Sequence, residues 1–314
     1  MDRFAELKAF NVVAACGGFS PAARQLGVAT SSVTRLVDAL EERLGAVLLN
    51  RSTRSVTLTE AGRTYHEEAR RILERLDAAD DAVSDRAGGV AGLLRVAAPV
   101  TFGAMFIAPI LPELRARHPR LTLDLRLDDS AVNLVDESID VAIRIGSLDA
   151  NPSLVARRLT GHARVLCASP AYLAGRGTPQ NPADLTQHDC LQFSFDGNRR
   201  SWRLRRKDGT GAGADAMPVE EIDVNSVVQA NNGELLRQAA LFGLGVAMLA
   251  DWLVQDDLRA GRLLRVLDDY EVNPGPMDVA LHALYQASRR GSHKIRAFVD
   301  LLGEQLARAG LSGP

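Results

Sequence analysis

The sequence has few of the features that mark secreted, membrane or metal-binding proteins. Its three cysteines, Cys16, Cys167 and Cys190, are far apart along the chain. No pair of them has the spacing of a metal site, and an odd number argues against a disulfide framework. The first ten residues are charged and lack the apolar core of a signal peptide, and no apolar run is long enough to span a membrane. We therefore predict buried, reduced thiols and a cytoplasmic location.

The sequence also lacks an overall positive charge and the usual catalytic motifs. Its formal net charge is −2, so any basic surface for nucleic acid must be local. Only Lys8, Lys207 and Lys294 are lysines, and every other basic residue is arginine. The histidines are scattered, no serine lies in a nucleophile-elbow motif, and no glycine-rich phosphate loop is present. We predict that the protein is not an enzyme and that it needs no metal and no cofactor.

Two amphipathic helices joined by a glycine are predicted between Phe19 and Gly45. Ser20 followed by Pro21 is a helix-start signal, because a hydroxyl can cap a helix and proline suits its first position. Gly27 suits the left-handed conformation that ends a helix. The second helix has an apolar stripe at three- and four-residue steps, namely Val33, Leu36, Val37, Leu40 and Leu44. A helix, a tight glycine turn and a second helix form a helix-turn-helix unit.

Small polar side chains and an arginine begin the second helix of this unit. If the apolar stripe faces the core, these side chains lie at the exposed start of the helix. Short side chains let a helix enter the major groove, hydroxyls can bond to base edges or phosphates, and arginine can reach guanine or a phosphate. The alternative is a solvated helix start with no partner. The candidate DNA-contacting residues of the unit are Ser20, Thr30, Ser31, Ser32, Thr34 and Arg35.

The next segment predicts a short β-wing with a basic tip. Apolar anchors flank a polar loop, and they are Leu48, Leu49, Val56 and Leu58. Arg51 and Arg54 lie in that loop, where an arginine suits contact with phosphate or with the minor groove. We therefore add Arg51 and Arg54 to the candidate DNA-contacting residues.

A long amphipathic helix follows the wing, from Thr59 to the glycines at positions 88 and 89. Thr59 is a good cap, and the negative charge of Glu60 suits the start of a helix. The alternatives are a helix packed on its own domain and a dimerising linker between two domains. We favour the linker, because the helix exceeds what a small winged domain can cover. The predicted dimerisation stripe is Tyr65, Ala69, Ile72, Leu76 and Val83.

Residues 1–88 resemble the LysR-type transcriptional regulators. The segment FSPAARQLGVATSSVTRLVDALEERLGAVLLNRSTRSVTLTEAG follows the helix-turn-helix, wing and linker start of that family in order. The chain departs from the family where the second helix opens, because the usual Ser-Gln-Pro-Ala is replaced by Ala29, Thr30, Ser31 and Ser32. We expect different base readout and a helix cap that passes to Thr30 or Ser31.

Strands and helices alternate through the remaining two-thirds of the chain, which predicts parallel sheets with crossover helices. The segments VDESIDVAIRIGSL, LVARRL, VLCASPAYL and NNGELLRQAALFGLGVAML are similar to the usual phrases of the same family. The resemblance implies an α+β multidomain fold: a winged helix-turn-helix domain (1–58), a linker or dimerisation helix with a hinge (59–89), and a two-lobe α/β effector-binding domain (90–314). The two lobes are similar to those of periplasmic binding proteins.

In such α/β lobes, ligands bind at the carboxyl ends of strands. By resemblance, the loops at these ends line a cleft between the lobes, and the candidate effector-binding residues are Pro99, Val100, Thr101, Ser147, Phe193, Asn225 and Asn232. Alternative roles are helix capping for Thr101, Ser147 and Asn232, and core packing for Phe193.

The leading hypothesis is a transcription factor whose partners are double-stranded DNA, a small-molecule effector and further copies of itself, as a homodimer or homotetramer. The alternative is an enzyme or substrate-binding module fused to a DNA-binding domain, such as an aminotransferase-like half. That fusion needs a lysine to hold its cofactor. Lys207 falls in a predicted loop and Lys294 at the start of the last helix, both poor places for this role.

Overall fold

The computed structural model describes residues 2–51, 56–84, 90–129, 139–147, 153–194, 201–207 and 218–311. Of the helices within these ranges, none has both the length and the apolar character needed to cross a membrane.

The amino-terminal domain is a three-helix unit with a two-stranded wing. Its elements are α1 (Arg3–Cys16), α2 (Phe19–Leu26), α3 (Thr30–Leu44), β1 (Leu49–Arg51) and β2 (Val56–Leu58), and the two strands pair antiparallel. The buried core comprises Ala9, Phe10, Val13, Ala22, Ala23, Val33, Val37, Leu40, Leu48 and Leu49. Gly27 ends α2 at φ 67°, as the sequence predicts, and its N–H bonds to carbonyls of α2.

The start of α2 differs from the prediction. The helix begins at Phe19, one residue before Ser20, and Gly18 is the extended residue at its cap position, without a side-chain bond. The prediction that Ser20 caps this helix is therefore wrong. The first four N–H groups of any helix lack intrahelical partners, so proline, which has no N–H, fits at any position of the first turn. Pro21 therefore does not determine at which residue the helix begins.

The start of α3 also differs. Its cap position is held by Ala29, which forms no side-chain cap bond, so neither Thr30 nor Ser31 takes that role. Instead, Thr34 Oγ1 donates a hydrogen bond to the carbonyl of Thr30 at 3.0 Å, inside the first turn. Because no hydroxyl of this turn is used for capping, the side chains of Thr30 and Ser31 remain available to a partner.

Helix α4 (Glu60–Ser84) leaves the domain after a threonine cap. Thr59 Oγ1 accepts a bond from Gly62 N at 2.9 Å, as the sequence predicts. A β-carbon at Gly62 would lie 2.0 Å from the carbonyl oxygen of Leu48, so this close approach of α4 to the wing requires glycine.

The first carboxy-terminal lobe contains one mixed five-stranded sheet in the order β4-β3-β5-β15-β6. Its strands are β3 (Ala91–Ala98), β4 (Arg120–Leu127), β5 (Val141–Gly146), β6 (Leu154–Gly161) and β15 (Ala280–Gln286). Helical turns run from α5 (Val100–Phe102), through a π turn (Gly103–Ile107) and a 3-10 turn (Ala108–Ile110), to α6 (Leu111–Arg117). A 3-10 turn (Ala287–Arg289) and α10 (His293–Arg308) complete the lobe.

The second lobe contains a mixed five-stranded sheet in the order β11-β8-β12-β7-β13 and a three-stranded antiparallel sheet in the order β10-β9-β14. The strands are β7 (Arg164–Ala168), β8 (Asp189–Phe193), β9 (Ser201–Arg206), β10 (Val219–Asp223), β11 (Asn225–Ala230), β12 (Val246–Ala250), β13 (Leu264–Val266) and β14 (Tyr270–Asn273). The helices are α7 (Pro170–Arg176), a 3-10 turn (Pro182–Gln187), α8 (Gly233–Leu241) and α9 (Asp251–Arg259).

The chain crosses between the lobes twice, after β6 and after β14. After the second crossing, β15 enters the first sheet antiparallel to β5 and β6. After the first crossing, β7 enters the second sheet, where it lies antiparallel to β12 and β13. Both large sheets are therefore mixed rather than purely parallel. The two crossings are tied to each other, because His162 N donates to the carbonyl of Val279 at 3.1 Å and Arg164 Nη1 donates to Asn273 Oδ1 at 2.8 Å.

Candidate functional site

The first candidate site is the exposed start of α3. Thr30, Ser31 and Arg35 are exposed, and Ser32 and Thr34 are half-buried. Of the residues that the structure describes, none pairs with Arg35. The structure thus brings five predicted residues together within the first two turns of α3 and leaves an arginine available beside hydroxyl groups.

Helix α2 extends this polar face. Ser20 is exposed and borders a shallow depression that also includes Arg24, Gly27 and Thr30. Arg24 is exposed as well, but it is absent from the residues predicted from sequence. Arg24 lies about one helical turn after Ser20 on α2, so it shares a face with that hydroxyl and is as well placed for phosphate, a spacing that the sequence alone shows.

The wing residue Arg51 has intramolecular partners. Its Nη1 lies 2.7 Å from Asp38 Oδ1, its Nη2 lies 2.5 Å from Glu41 Oε2, and its Cζ lies 4.9 Å from the ring centre of Phe19. Burial lowers the pKa of Arg51, but the two carboxylates outweigh burial and raise it above its ordinary value. Arg54 lies outside the described residues.

The second candidate site is a cleft of about 770 Å³ between the lobes. Three predicted residues line it, namely Pro99, Thr101 and Phe193. Polar and aromatic residues that the sequence pattern does not indicate also line it, and they include Asp128, Asp129, Arg144, His162, Arg164, Ser194, Gln229, Asn231 and Trp252. The cleft therefore combines hydroxyl, amide, acidic and basic groups with an aromatic wall.

A polar bridge joins the lobes at this cleft. Asn232 Nδ2 donates to Asp129 Oδ2 at 2.8 Å, and Val100 N donates to the other carboxylate oxygen at 3.0 Å. Asn232 Oδ1 also accepts from Leu235 N at 3.0 Å, which caps α8. The predicted residues Val100 and Asn232 thus meet at one carboxylate, and Asn232 both caps a helix and connects the lobes.

Two predicted residues lie away from the cleft. Ser147 is exposed and is not part of the cleft lining. Asn225 begins β11, whereas Gln229 and Ala230 at the other end of that strand line the cleft. Because β11 runs parallel to β8, its carboxyl end and not its amino end faces the cleft.

The basic wall of the cleft contains Arg164 and His162. Burial lowers the pKa of Arg164 to about 10. Burial and then the positive charge of Arg164 lower the pKa of His162 to about 3, so its imidazole is neutral near neutral pH. Trp252 Nε1 donates to His162 Nδ1 at 3.4 Å, which places the imidazole proton on Nε2, where no partner is present among the described residues. A cation and a neutral N–H donor thus share one wall.

Trp252 belongs to both lobes. It lies in α9 of the second lobe, yet its ring centre is 6.0 Å from that of Phe102 and 5.4 Å from that of Phe106 in the first lobe. Aromatic pairs at these edge-to-face distances are stabilising. The environment of Trp252 therefore depends on the angle between the lobes.

No metal centre accompanies these sites in the part of the chain that the structure describes, since no three His, Cys, Asp or Glu side chains are grouped to hold an ion. Lys207 follows β9, where its Nζ donates to the carbonyl of Asp268 at 2.6 Å, and Lys294 lies in the first turn of α10. Neither lysine lines the cleft.

Comparisons with known proteins cover nearly the whole chain. Residues 4–63 match the family "Bacterial regulatory helix-turn-helix protein, lysR family", and residues 87–307 match the "LysR substrate binding domain". The HTH-type transcriptional regulator DmlR of Escherichia coli K12 is 36% identical over 303 residues, which are 96% of this chain and 94% of DmlR.

Two full-length regulator structures are also similar. CrgA from Neisseria meningitidis, a LysR-type transcriptional regulator, matches with 34% identity and a TM-score of 0.59 over 96% of this chain and 98% of CrgA. The Vibrio cholerae virulence activator AphB matches with 26% identity and a TM-score of 0.61 over 95% of this chain and 97% of AphB.

Proposed function

Because the chain belongs to the LysR family of transcriptional regulators, we propose that it reads a specific operator with α3 and changes promoter output when a small polar or anionic metabolite occupies its inter-lobe cleft. The family membership confirms the prediction of a DNA-binding regulator with an effector-binding domain. It does not support the alternative, an enzyme fused to a DNA-binding domain. The residue assignments, the effector class and the boundaries 1–58, 59–89 and 90–314 are part of the proposal.

The observation that carries the DNA assignment is the exposed start of α3. Thr30, Ser32, Thr34 and Arg35 can read or frame bases, while Ser20 and Ser31 suit phosphates at the edge of the groove. The arginines of the wing, Arg51 and Arg54, would add phosphate or minor-groove affinity. Paired copies of α3 in a symmetric dimer would face successive major grooves of a two-fold related site.

We expect the arginines of α3 and of the wing to differ in their effect on DNA binding. Arg35→Ala should change which sequence is preferred, by about 1–3 kcal/mol for each lost base contact. Arg54→Ala should weaken binding similarly on all sequences and flatten the salt slope by about one unit. The wild-type protein is first used to select a preferred duplex from random DNA (the selected duplex). Binding is then titrated at several salt concentrations on the selected duplex and on a scrambled duplex. Unchanged affinity and salt slope in Arg54→Ala would refute the wing assignment.

The composition of the cleft supports the effector class. A partly buried arginine and a neutral imidazole N–H on one wall favour a ligand that carries negative charge or hydrogen-bond acceptors. The aromatic surfaces of Phe193 and Trp252 can pack against an apolar part of the ligand. A thermal-shift screen of small carboxylates, sugar acids and amino acids tests this class, with the selected duplex as a positive control for folded protein.

The contacts across the cleft support a signal carried by the lobe angle. The bridge from Asn232 to Asp129 and the packing of Trp252 against Phe102 and Phe106 would be strengthened or broken as the lobes rotate. The linker helix α4 also packs against the 3-10 turn Ala287–Arg289 of the first lobe, which offers a route from the lobes to the DNA-binding domain. A ligand that favours one arrangement by about 1–3 kcal/mol is sufficient to alter output.

We expect Asn232→Asp to open the cleft in the absence of any ligand. The new carboxylate still caps α8 but repels Asp129. Asn232→Ser keeps a cap and removes the bridge without repulsion, so it should open the cleft less. The readout is the emission of Trp252 in a Trp202→Phe background, where it is the only tryptophan. Opening would separate Trp252 from Phe102 and Phe106 and expose its ring to water, so the emission should shift to the red. Identical emission in all three proteins would show that this bridge does not set the lobe angle.

A further inference from the structure

Glu41 on α3 connects the recognition helix to the wing. Its Oε1 accepts hydrogen bonds from the backbone N–H groups of Leu48 at 2.7 Å and Leu49 at 3.0 Å, where the wing begins. Its Oε2 accepts from Arg51 Nη2 at 2.5 Å, at the end of β1. One carboxylate thus bonds to the first strand of the wing at both of its ends.

These bonds are well placed to be strong. The Glu41 side chain is only 14% exposed, so little water competes for its oxygens, and a bond from a guanidinium to a carboxylate is stronger than one between neutral groups. Leu48 and Leu49 are themselves buried in the domain core. The position of β1 relative to α3 is therefore fixed both by apolar packing on one side and by Glu41 on the other.

We infer that Glu41 is a positioning residue for DNA recognition: it touches no DNA, but it holds the wing at the distance from α3 at which both contact one operator. The inference rests on the DNA binding proposed above. Glu41 lies three turns after Thr30 on a helix whose start faces DNA. Its carboxylate would repel phosphates if it faced them, and its inward bonds remove that charge from the DNA-facing surface.

The test compares Glu41→Gln with the control Asp38→Asn on the selected duplex. Glu41→Gln keeps one amide oxygen for a backbone N–H but loses the ion pair with Arg51, whereas Asp38→Asn removes only the outer, exposed partner of Arg51. Glu41→Gln should bind at least about tenfold more weakly, with a salt slope lower by about one unit, because phosphate contacts of the wing are lost. Hydroxyl-radical protection should vanish at the wing-contacted flanks and persist where α3 binds.

The salt slope and the footprint separate positioning from simple stability. Partial unfolding of a variant would lower the amount of active protein. The complexes that still form would keep the wild-type salt slope and the wild-type footprint. A Glu41→Gln protein with the wild-type slope and the wild-type flanking protection would therefore overturn the inference. If melting curves show that Glu41→Gln does not fold, Glu41→Asp replaces it, because its shorter side chain keeps the charge but withdraws it from the wing. If the wild-type protein shows no preference for the selected duplex, the proposed function fails and this inference fails with it.

Discussion

Leu76→Glu is expected to separate the protein into smaller species and to weaken binding to the selected duplex about 100-fold or more. Leu76 and Ile72 are one helical turn apart on α4, and they remain 36% and 47% exposed in the single chain. Two large apolar side chains at this spacing would be covered if α4 pairs with its counterpart in a second chain. A glutamate there would be buried without a partner, at a cost of several kcal/mol. Loss of the pair would also remove the gain from two linked DNA contacts.

The other residues of the predicted stripe behave differently in the structure. Tyr65 packs on the core of its own domain, where its ring lies 5.8 Å from that of Phe10, and Ala69 is already buried within the single chain. Val83 lies in α4, but its side chain is outside the described residues. Substitutions at Tyr65 would therefore confuse folding with assembly, whereas Leu76 tests assembly alone.

Light scattering measures this prediction, with Arg75→Glu as the matched control. Arg75 neighbours Leu76 on α4 and is exposed, so its substitution introduces the same side chain off the apolar stripe. The control should keep the wild-type molar mass. A wild-type molar mass in Leu76→Glu would move the dimer interface to another surface. The molar mass from the same light-scattering experiment shows whether the wild-type protein is a dimer or a tetramer.

Arg164→Gln is expected to weaken binding of an anionic effector by about 10- to 100-fold while leaving operator affinity in the absence of ligand within a few-fold. Glutamine removes the charge and keeps a shorter amide donor on this wall, and the backbone bond from His162 N to the carbonyl of Val279 still joins the two crossings. Hydrogen bonds to charged groups contribute about 1.5–3 kcal/mol, which corresponds to this loss. Thr101→Val should reduce affinity as well, because it replaces a hydroxyl in the cleft lining with a methyl group.

Calorimetric titration with a hit from the metabolite screen measures this prediction, and Ser147→Ala is the comparison. The sequence predicts Ser147 as an effector contact, but it lies outside the cleft lining, so its substitution should leave affinity unchanged. Because the pKa of His162 is about 3, the affinity should vary little around neutral pH. Full affinity in both Arg164→Gln and Thr101→Val would show that the sensor lies elsewhere.

The sequence predicted those parts of the sites that depend on local pattern. The apolar stripe of α3 determines which of its residues face outward, so the sequence alone places Thr30 and Arg35 on the surface. Pro99, Thr101 and Phe193 follow or end predicted strands, and the carboxyl ends of these strands meet at the cleft. Periodicity within single segments is sufficient for each of these inferences.

The residues that the sequence did not indicate depend on long-range contacts. Arg164 and His162 reach the cleft because the chain crosses between the lobes there, and Asp129 meets Asn232 only when both lobes are assembled. The sequence predicts Asn225 near the start of a helix, whereas it begins strand β11, whose other end lines the cleft, because its pairing with β8 makes the segment a strand. For Arg51, the sequence shows a basic side chain in a wing but not the acidic partners on α3 that hold it.

Coupling between the cleft and the DNA-binding domain is tested by a hydroxyl-radical footprint of the wild-type protein on the selected duplex, with and without a saturating metabolite hit. We expect protection by α3 to remain at both half-sites, while the separation or bending between them changes when the cleft is filled. By reciprocity, the operator should change the affinity for that metabolite by the same factor. An identical footprint and an identical metabolite affinity in the two states would contradict coupling between the cleft and the DNA-binding domain.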